Sequence, residues 1–186
     1  MARVPYLTRE SAPAAAQPLW DRLEAERKMP TAHIFRALAN APTQLDGFLT
    51  YANAMRGAQL SPRLRELAIL TVGHVTGSVY EIAHHQSHAT KAGVSAEQLG
   101  AIEVFETAPV FDEIERAVMR LAAESTRQVT VAQGTWDGAA RHLDDKQMVE
   151  LALTIAWYNS GVRIMALLDI ELEDSYLPDR AASAQS

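Results

Sequence analysis

The chain contains no cysteine among its 186 residues. This excludes disulfides, thiolate metal sites and any cysteine nucleophile or peroxidatic thiol, since each needs a sulfur that can ionise or oxidise. Basic residues are outnumbered, with 17 Lys and Arg against 23 Asp and Glu, for a formal charge of −6. Nucleic acids and anionic membranes favour a basic face, so neither is expected as a partner. No uninterrupted apolar run reaches membrane-spanning length. The opening stretch, MARVPYLTRESAPAAAQPLW, lacks the apolar core of a secretory signal, and the cytoplasm is the expected location. Strand signals are scarce too, with no convincing alternating run bounded by turns.

Helical punctuation is plentiful. Residues 1–13 carry Pro5 and Pro13 and read as an extended arm. Pro18 suits the first turn of a helix running to about Lys28. Ile34, Phe35, Leu38 and Ala41 recur at helical spacing, and Pro42 opens a helix to about residue 56. Ser61-Pro62 places a capping serine before proline at the first helical position, starting a helix that ends near Thr76 at Gly77. Ser78 caps the next helix, which runs to about Ala92 and stops at Gly93. Ser95 with Gln98 reads as a capping box. An amphipathic helix follows over 112–127, Thr135 caps another, and Asp144 with Gln147 opens the last, about 145–169. That last helix is apolar nearly all round, which predicts a central position. The segment ELAILTVGHVTG (66–77) echoes ELALTIAWYNSG (150–161), either as a duplicated unit or as a coincidence between two apolar helices. The expectation is a single all-α domain of 1–186: an arm and helical extension over 1–60, a core over 61–175, and a frayed tail over 176–186.

The densest chemistry lies in GSVYEIAHHQSHA, Gly77 to Ala89, which holds one carboxylate and three histidines between Glu81 and His88. At about 100° per residue, a wheel with Ile82 on the core side brings Val79, Gln86 and Ala89 with it. Tyr80, His84 and Ser87 then face solvent, while Ser78, Glu81, His85 and His88 form a separate stripe flanking the apolar side. Three readings follow. His84 and His88, at i,i+4, could ligate a metal from one helix face, although the HExxH order is absent. The stripe could be an ordinary solvated flank. Or Glu81 and His85, also at i,i+4, could share a proton in a cleft.

The stretch RELAILTVGHVTGSVYEIAHHQSHATKAGVSAEQLGAI, Arg65 to Ile102, resembles the carboxymuconolactone decarboxylase family, whose superfamily includes alkylhydroperoxidase D. The likeness extends more loosely from about Phe35 to WYNSGVRIMALL near the C-terminus. Thiol-bearing members of the superfamily carry a glutamate, a Cys-x-x-Cys beginning twelve residues on, and a histidine four residues after the second cysteine. Counting from Glu66, those positions fall on Ser78, Glu81 and His85. Ser78 and Glu81 thus stand where the cysteines would be, and thiol peroxidase chemistry does not carry over.

The resemblance implies an alkylhydroperoxidase D-like helical bundle, no cofactor, and a homo-oligomer (trimer or hexamer, or a dimer) with its site at a subunit interface. It implies a small-molecule substrate and a decarboxylase-like lyase or isomerase reaction on a carboxylated or lactone-like metabolite. Glu66, Glu81 and His85 are then the candidate catalytic residues, with His85 as proton donor or shuttle. Ser78, His88, Arg65 and Arg163 are candidates for holding substrate, the arginines by bidentate contact with a carboxylate. For Arg163 a purely structural ion pair is the competing assignment. A metal-dependent hydrolase or oxygenase using His84 and His88, and a non-catalytic helical oligomer, are the alternatives.

Overall fold

The computed structural model describes residues 2–28 and 32–177, and every regular element among them is helical. The tail expected beyond Leu177 lies outside the described residues. The helices are α1 (Gln17–Arg22), α2 (His33–Leu38), α3 (Pro42–Ala54), α4 (Pro62–Thr76), α5 (Val79–Lys91), α6 (Ala96–Ala101), α7 (Glu113–Gln128), α8 (Gln133–Ala140) and α9 (Asp145–Leu168). The helix expected from Pro18 to Lys28 is α-helical only to Arg22 and widens into a π turn over Leu23–Arg27.

By internal contacts the chain divides into two compact units: residues up to Gly57 together with those from Ile164 on, and residues Ala58 to Arg163. In the first, Leu19, Trp20, Leu23, Phe35, Leu45 and Leu49 form a core from α1–α3. The N-terminal arm is tied down there. Arg36 Nε donates to Leu7 O at 3.0 Å, and the Tyr6 ring stacks on His33 at 4.2 Å.

The second unit is built around α4. Every residue from Glu66 to Gly73 is buried. On one side Leu67 and Leu70 join Ala89, Ile102, Phe105 and Met119 in an apolar core. On another, α5 lies close because position 73 is glycine: a Cβ there would stand 3.1 Å from Ile82 Cγ1. Gly77, at φ +68°, ends α4, and its N–H caps the Gly73 and His74 carbonyls. This left-handed turn, inexpensive for glycine, folds α5 back onto α4.

Several expected caps are present. Ser78 Oγ accepts from Glu81 N–H and the Ser95/Gln98 box is closed, and a further box that the sequence reading does not single out, Asp112/Glu115, opens α7. Asp144 and Gln147 bond reciprocally at the start of α9. Two expectations are corrected. Ser61 takes the N-cap position but makes no side-chain cap bond, so Pro62 starts α4 through its fixed φ. Thr135 lies inside α8, whose N-cap is Ala132, because its hydroxyl is drawn to Glu124 instead.

The long helix α9 is not enclosed. By length and composition it could cross a membrane, but a third of its most apolar stretch is buried. Met148, Leu151 and Ile155 face inward, whereas Val149 and Leu153 are exposed. Its apolar character all round therefore reflects an inner face and an uncovered outer one.

Arg63, on the first turn of α4, joins the two capping boxes. Its Nε donates to Glu115 Oε1 at 2.6 Å and one Nη to Gln98 Oε1 at 2.8 Å, and the other Nη reaches Gly93 O. Glu115 is buried while Arg63 is partly exposed. Hydrogen bonds to charged groups contribute about 1.5–3 kcal/mol. Arg63→Ala is therefore expected to lower unfolding free energy by about 2 kcal/mol, read as a fall in the urea midpoint at unchanged m-value.

Candidate functional site

Glu66 comes from the second turn of α4, and Glu81 and His85 from successive turns of α5. The Gly73 contact brings these helix faces together. His85 Nδ1 lies 2.8 Å from Glu66 Oε2, and His85 Nε2 lies 3.5 Å from Glu81 Oε2. One imidazole thus stands between two carboxylates from adjacent helices. All three side chains are largely shielded, at 7%, 10% and 16% exposure for Glu66, Glu81 and His85.

The geometry fixes roles for the ring nitrogens. A carboxylate at hydrogen-bond distance accepts, so Glu66 holds the proton on Nδ1 when the ring is neutral. Nε2 then carries the lone pair and faces Glu81. Burial pushes the Glu81 carboxyl above its ordinary range. His85 and then His84 oppose that shift, and the nearby Glu66 carboxylate adds to it. A carboxyl raised in this way can donate a proton at a pH where a free glutamate is ionised.

The third wall comes from α9. The rings of Tyr158 and His85 meet edge to face, with centroids 4.9 Å apart. Gly161 passes close to the acid, since a Cβ there would stand 3.6 Å from Glu81 Oε1. Neither residue is singled out by the sequence reading, although both lie within WYNSGVRIMALL. The available signal is their i,i+3 spacing, which sets a ring and a gap on one face.

The remaining candidates separate. Arg65 Nε is 3.7 Å from Glu66 Oε1, so its guanidinium borders the site. Ser78 acts as the α5 cap through its hydroxyl. His88 is exposed, with its ring 5.6 Å from that of His85. Arg163 is exposed and donates to the side chain and carbonyl of Asn159 at 2.6 and 2.8 Å, within its own helix. Asn159 in turn donates to Thr126 of α7. Arg163 therefore braces the Asn159 side chain that ties α9 to α7.

The wheel orientation is corrected. Tyr80 and His84, expected in solvent, are buried and stacked at 4.3 Å, whereas Val79, expected inside, is 67% exposed. Gln86 is exposed as well. The buried arc of α5 is centred on its titratable side chains, so apolar character does not mark it. The metal pair is divided by the same rotation, with His84 inside and His88 outside. Among the described residues no group of three or more His, Cys, Asp or Glu is placed to hold a metal ion.

Residues 39–124 match the carboxymuconolactone decarboxylase family. That match spans a little under half of the chain, which has no cysteine. Its fold is alkylhydroperoxidase D-like. An alkylhydroperoxidase AhpD core, a peroxidase-related protein from Ralstonia eutropha, superposes with TM-score 0.79 at 14% identity, covering 94% of each chain. A peroxidase-related protein from a Silicibacter species gives 0.76 at 16% identity, covering 94% of this chain and 93% of that one. The debrominase Bmp8, as an alanine-for-cysteine variant in complex with 2,3,4-tribromopyrrole, gives 0.79 at 20% identity, covering 98% of this chain and 96% of its own. No curated protein matches the chain.

The raised Glu81 carboxyl has a stability consequence of definite sign. A raised folded-state pKa contributes stability at acid pH that is lost as pH rises through it. Glu81→Gln removes that loss. The variant should gain stability relative to wild type as pH rises above the ordinary value of 4.5. Urea melts over a pH series check this, and a pH-independent difference would contradict it.

Proposed function

We propose that this protein is a cofactor-free acid–base lyase or isomerase acting on a small carboxylated or lactone-like metabolite. The observation that carries the proposal is the His85 imidazole held between Glu66 and a Glu81 carboxyl raised by burial. Such an arrangement both fixes a tautomer and keeps a proton in reserve, the two requirements of a proton-delivering site. The match of residues 39–124 to the carboxymuconolactone decarboxylase family supports the reaction class. The ligand named for Bmp8, a small planar ring, supports a substrate of similar size. Any step that a cysteine thiolate performs elsewhere in the fold has no counterpart here.

In the proposed reaction the substrate carboxylate leaves as carbon dioxide, and the electron pair of the broken C–C bond moves into the conjugated lactone as an enolate. Protonation at carbon by His85 Nε2–H then gives the shifted double bond. Glu81 returns a proton to Nε2, and solvent reloads Glu81, so one proton is consumed for each carbon dioxide released. Glu66 keeps Nδ1 protonated throughout and acts as a positioning residue. Arg65, beside Glu66, binds the substrate carboxylate.

We further propose a homo-oligomer formed through the outer face of α9, where Val149 and Leu153 stand exposed one turn apart. Light scattering should return a multiple of the 20.4 kDa chain mass, and a monomer at tens of micromolar would reject this part.

Carbon dioxide release from a panel of unsaturated lactone carboxylic acids tests the main reading. His85→Ala and Glu81→Gln should each lower turnover at least ~10²-fold with circular dichroism unchanged. Near wild-type rates in both variants would defeat it.

A further inference from the structure

A pocket lies on another face of α4, away from Glu66. It has a volume of about 100 Å³ and is lined by Thr71, His74, Val75, Ile102, Glu103, Phe105 and Arg127. We propose that it binds a small apolar monocarboxylate, with Arg127 as the anchor.

The lining residues divide by chemistry. Ile102 and Phe105 are buried members of the core and, with Val75, give the pocket an apolar floor. The Thr71 hydroxyl is engaged within α4, donating to Leu67 O at 2.7 Å. His74 Nδ1 and Glu103 Oε1 are partners at 3.2 Å. Arg127 sits in the last turn of α7 and is exposed. Among the described residues its guanidinium makes no hydrogen bond or ion pair. The carboxylate in the lining and the one a turn earlier on α7 are both engaged: Glu103 with His74, and Glu124 with Ala132 N–H and Thr135.

An apolar floor beside one uncommitted, planar, bidentate donor is the complement of a carboxylate on a short hydrocarbon body. The volume limits that body. A cavity of about 150 Å³ accepts benzene, and this smaller pocket takes a single ring or branched chain whose acid group stays at the mouth. Directly after Arg127 the backbone is constrained, with Val129 at φ +68°, a costly conformation for a β-branched residue. It ends α7 sharply, leaving Arg127 on the final turn beside the pocket.

The proposal is tested with benzoate as the probe, and benzamide as its uncharged counterpart, in methyl and amide NMR titrations of the full chain. Benzoate should shift the Val75, Ile102 and Phe105 resonances, and benzamide should bind at least about tenfold more weakly. Arg127→Gln, a surface change, should weaken benzoate about tenfold or more. His85→Ala should leave the same shifts in place, which separates this pocket from the Glu66–His85–Glu81 site. Equal affinity for benzoate and benzamide, an unchanged affinity in Arg127→Gln, or shifts confined to the surroundings of His85 would each overturn the proposal.

Discussion

Two carboxylates share one histidine in the interior of a helical unit, and this contact organises the second unit of the chain. Glu66 reaches His85 from α4, and Glu81 reaches it from the turn below on α5. Burying two acids side by side is unfavourable, because each charge loses water and repels the other. The arrangement lowers this cost in two ways. His85 offers a donor to Glu66, and Glu81 moves toward its neutral form. The same compromise lets the carboxyl beside the imidazole nitrogen keep its proton to higher pH than a free glutamate does.

The surrounding structure is arranged to keep those groups close. Gly73 lets α5 approach α4, Gly77 turns the chain between them, and the Ser78 cap sets the first turn from which Glu81 projects. Gly161 lets the backbone of α9 pass beside Glu81, and the Tyr158 ring meets the imidazole. Arg63 fixes the start of α4 against the capping boxes of α6 and α7. Small residues permit approach and polar ties hold register, so the site depends on backbone spacing as much as on its three side chains.

Much of this was legible in the sequence where local chemistry decides structure. Gly77, Ser78, the Ser95/Gln98 box and the Asp144/Gln147 pair act within a turn of themselves, and each marks a boundary the fold keeps. The likeness to the carboxymuconolactone decarboxylase family pointed to Glu66 and His85, which lie on different helices and which spacing alone does not join. What the sequence did not reveal depends on tertiary packing. The wheel for α5 went wrong because it took Ile82 as the buried centre, whereas this helix turns Tyr80, Glu81, His84 and His85 inward. Thr135 has the chemistry of a cap, but its hydroxyl goes to Glu124 across the turn between α7 and α8. Tyr158 and Gly161 enter the site only because α9 crosses it, a fact with no local signature.

Glu66 accepts from His85 Nδ1, which leaves Nε2 as the nitrogen that faces Glu81. Long-range nitrogen NMR of histidine-labelled protein, with the His85 signal assigned by its loss in His85→Ala, reads this directly. Nδ1 should stay protonated across the titration while Nε2 alone gains and loses its proton, and Glu66→Gln should mix the two tautomers. A neutral His85 protonated on Nε2, or a tautomer mixture indifferent to Glu66→Gln, would contradict it.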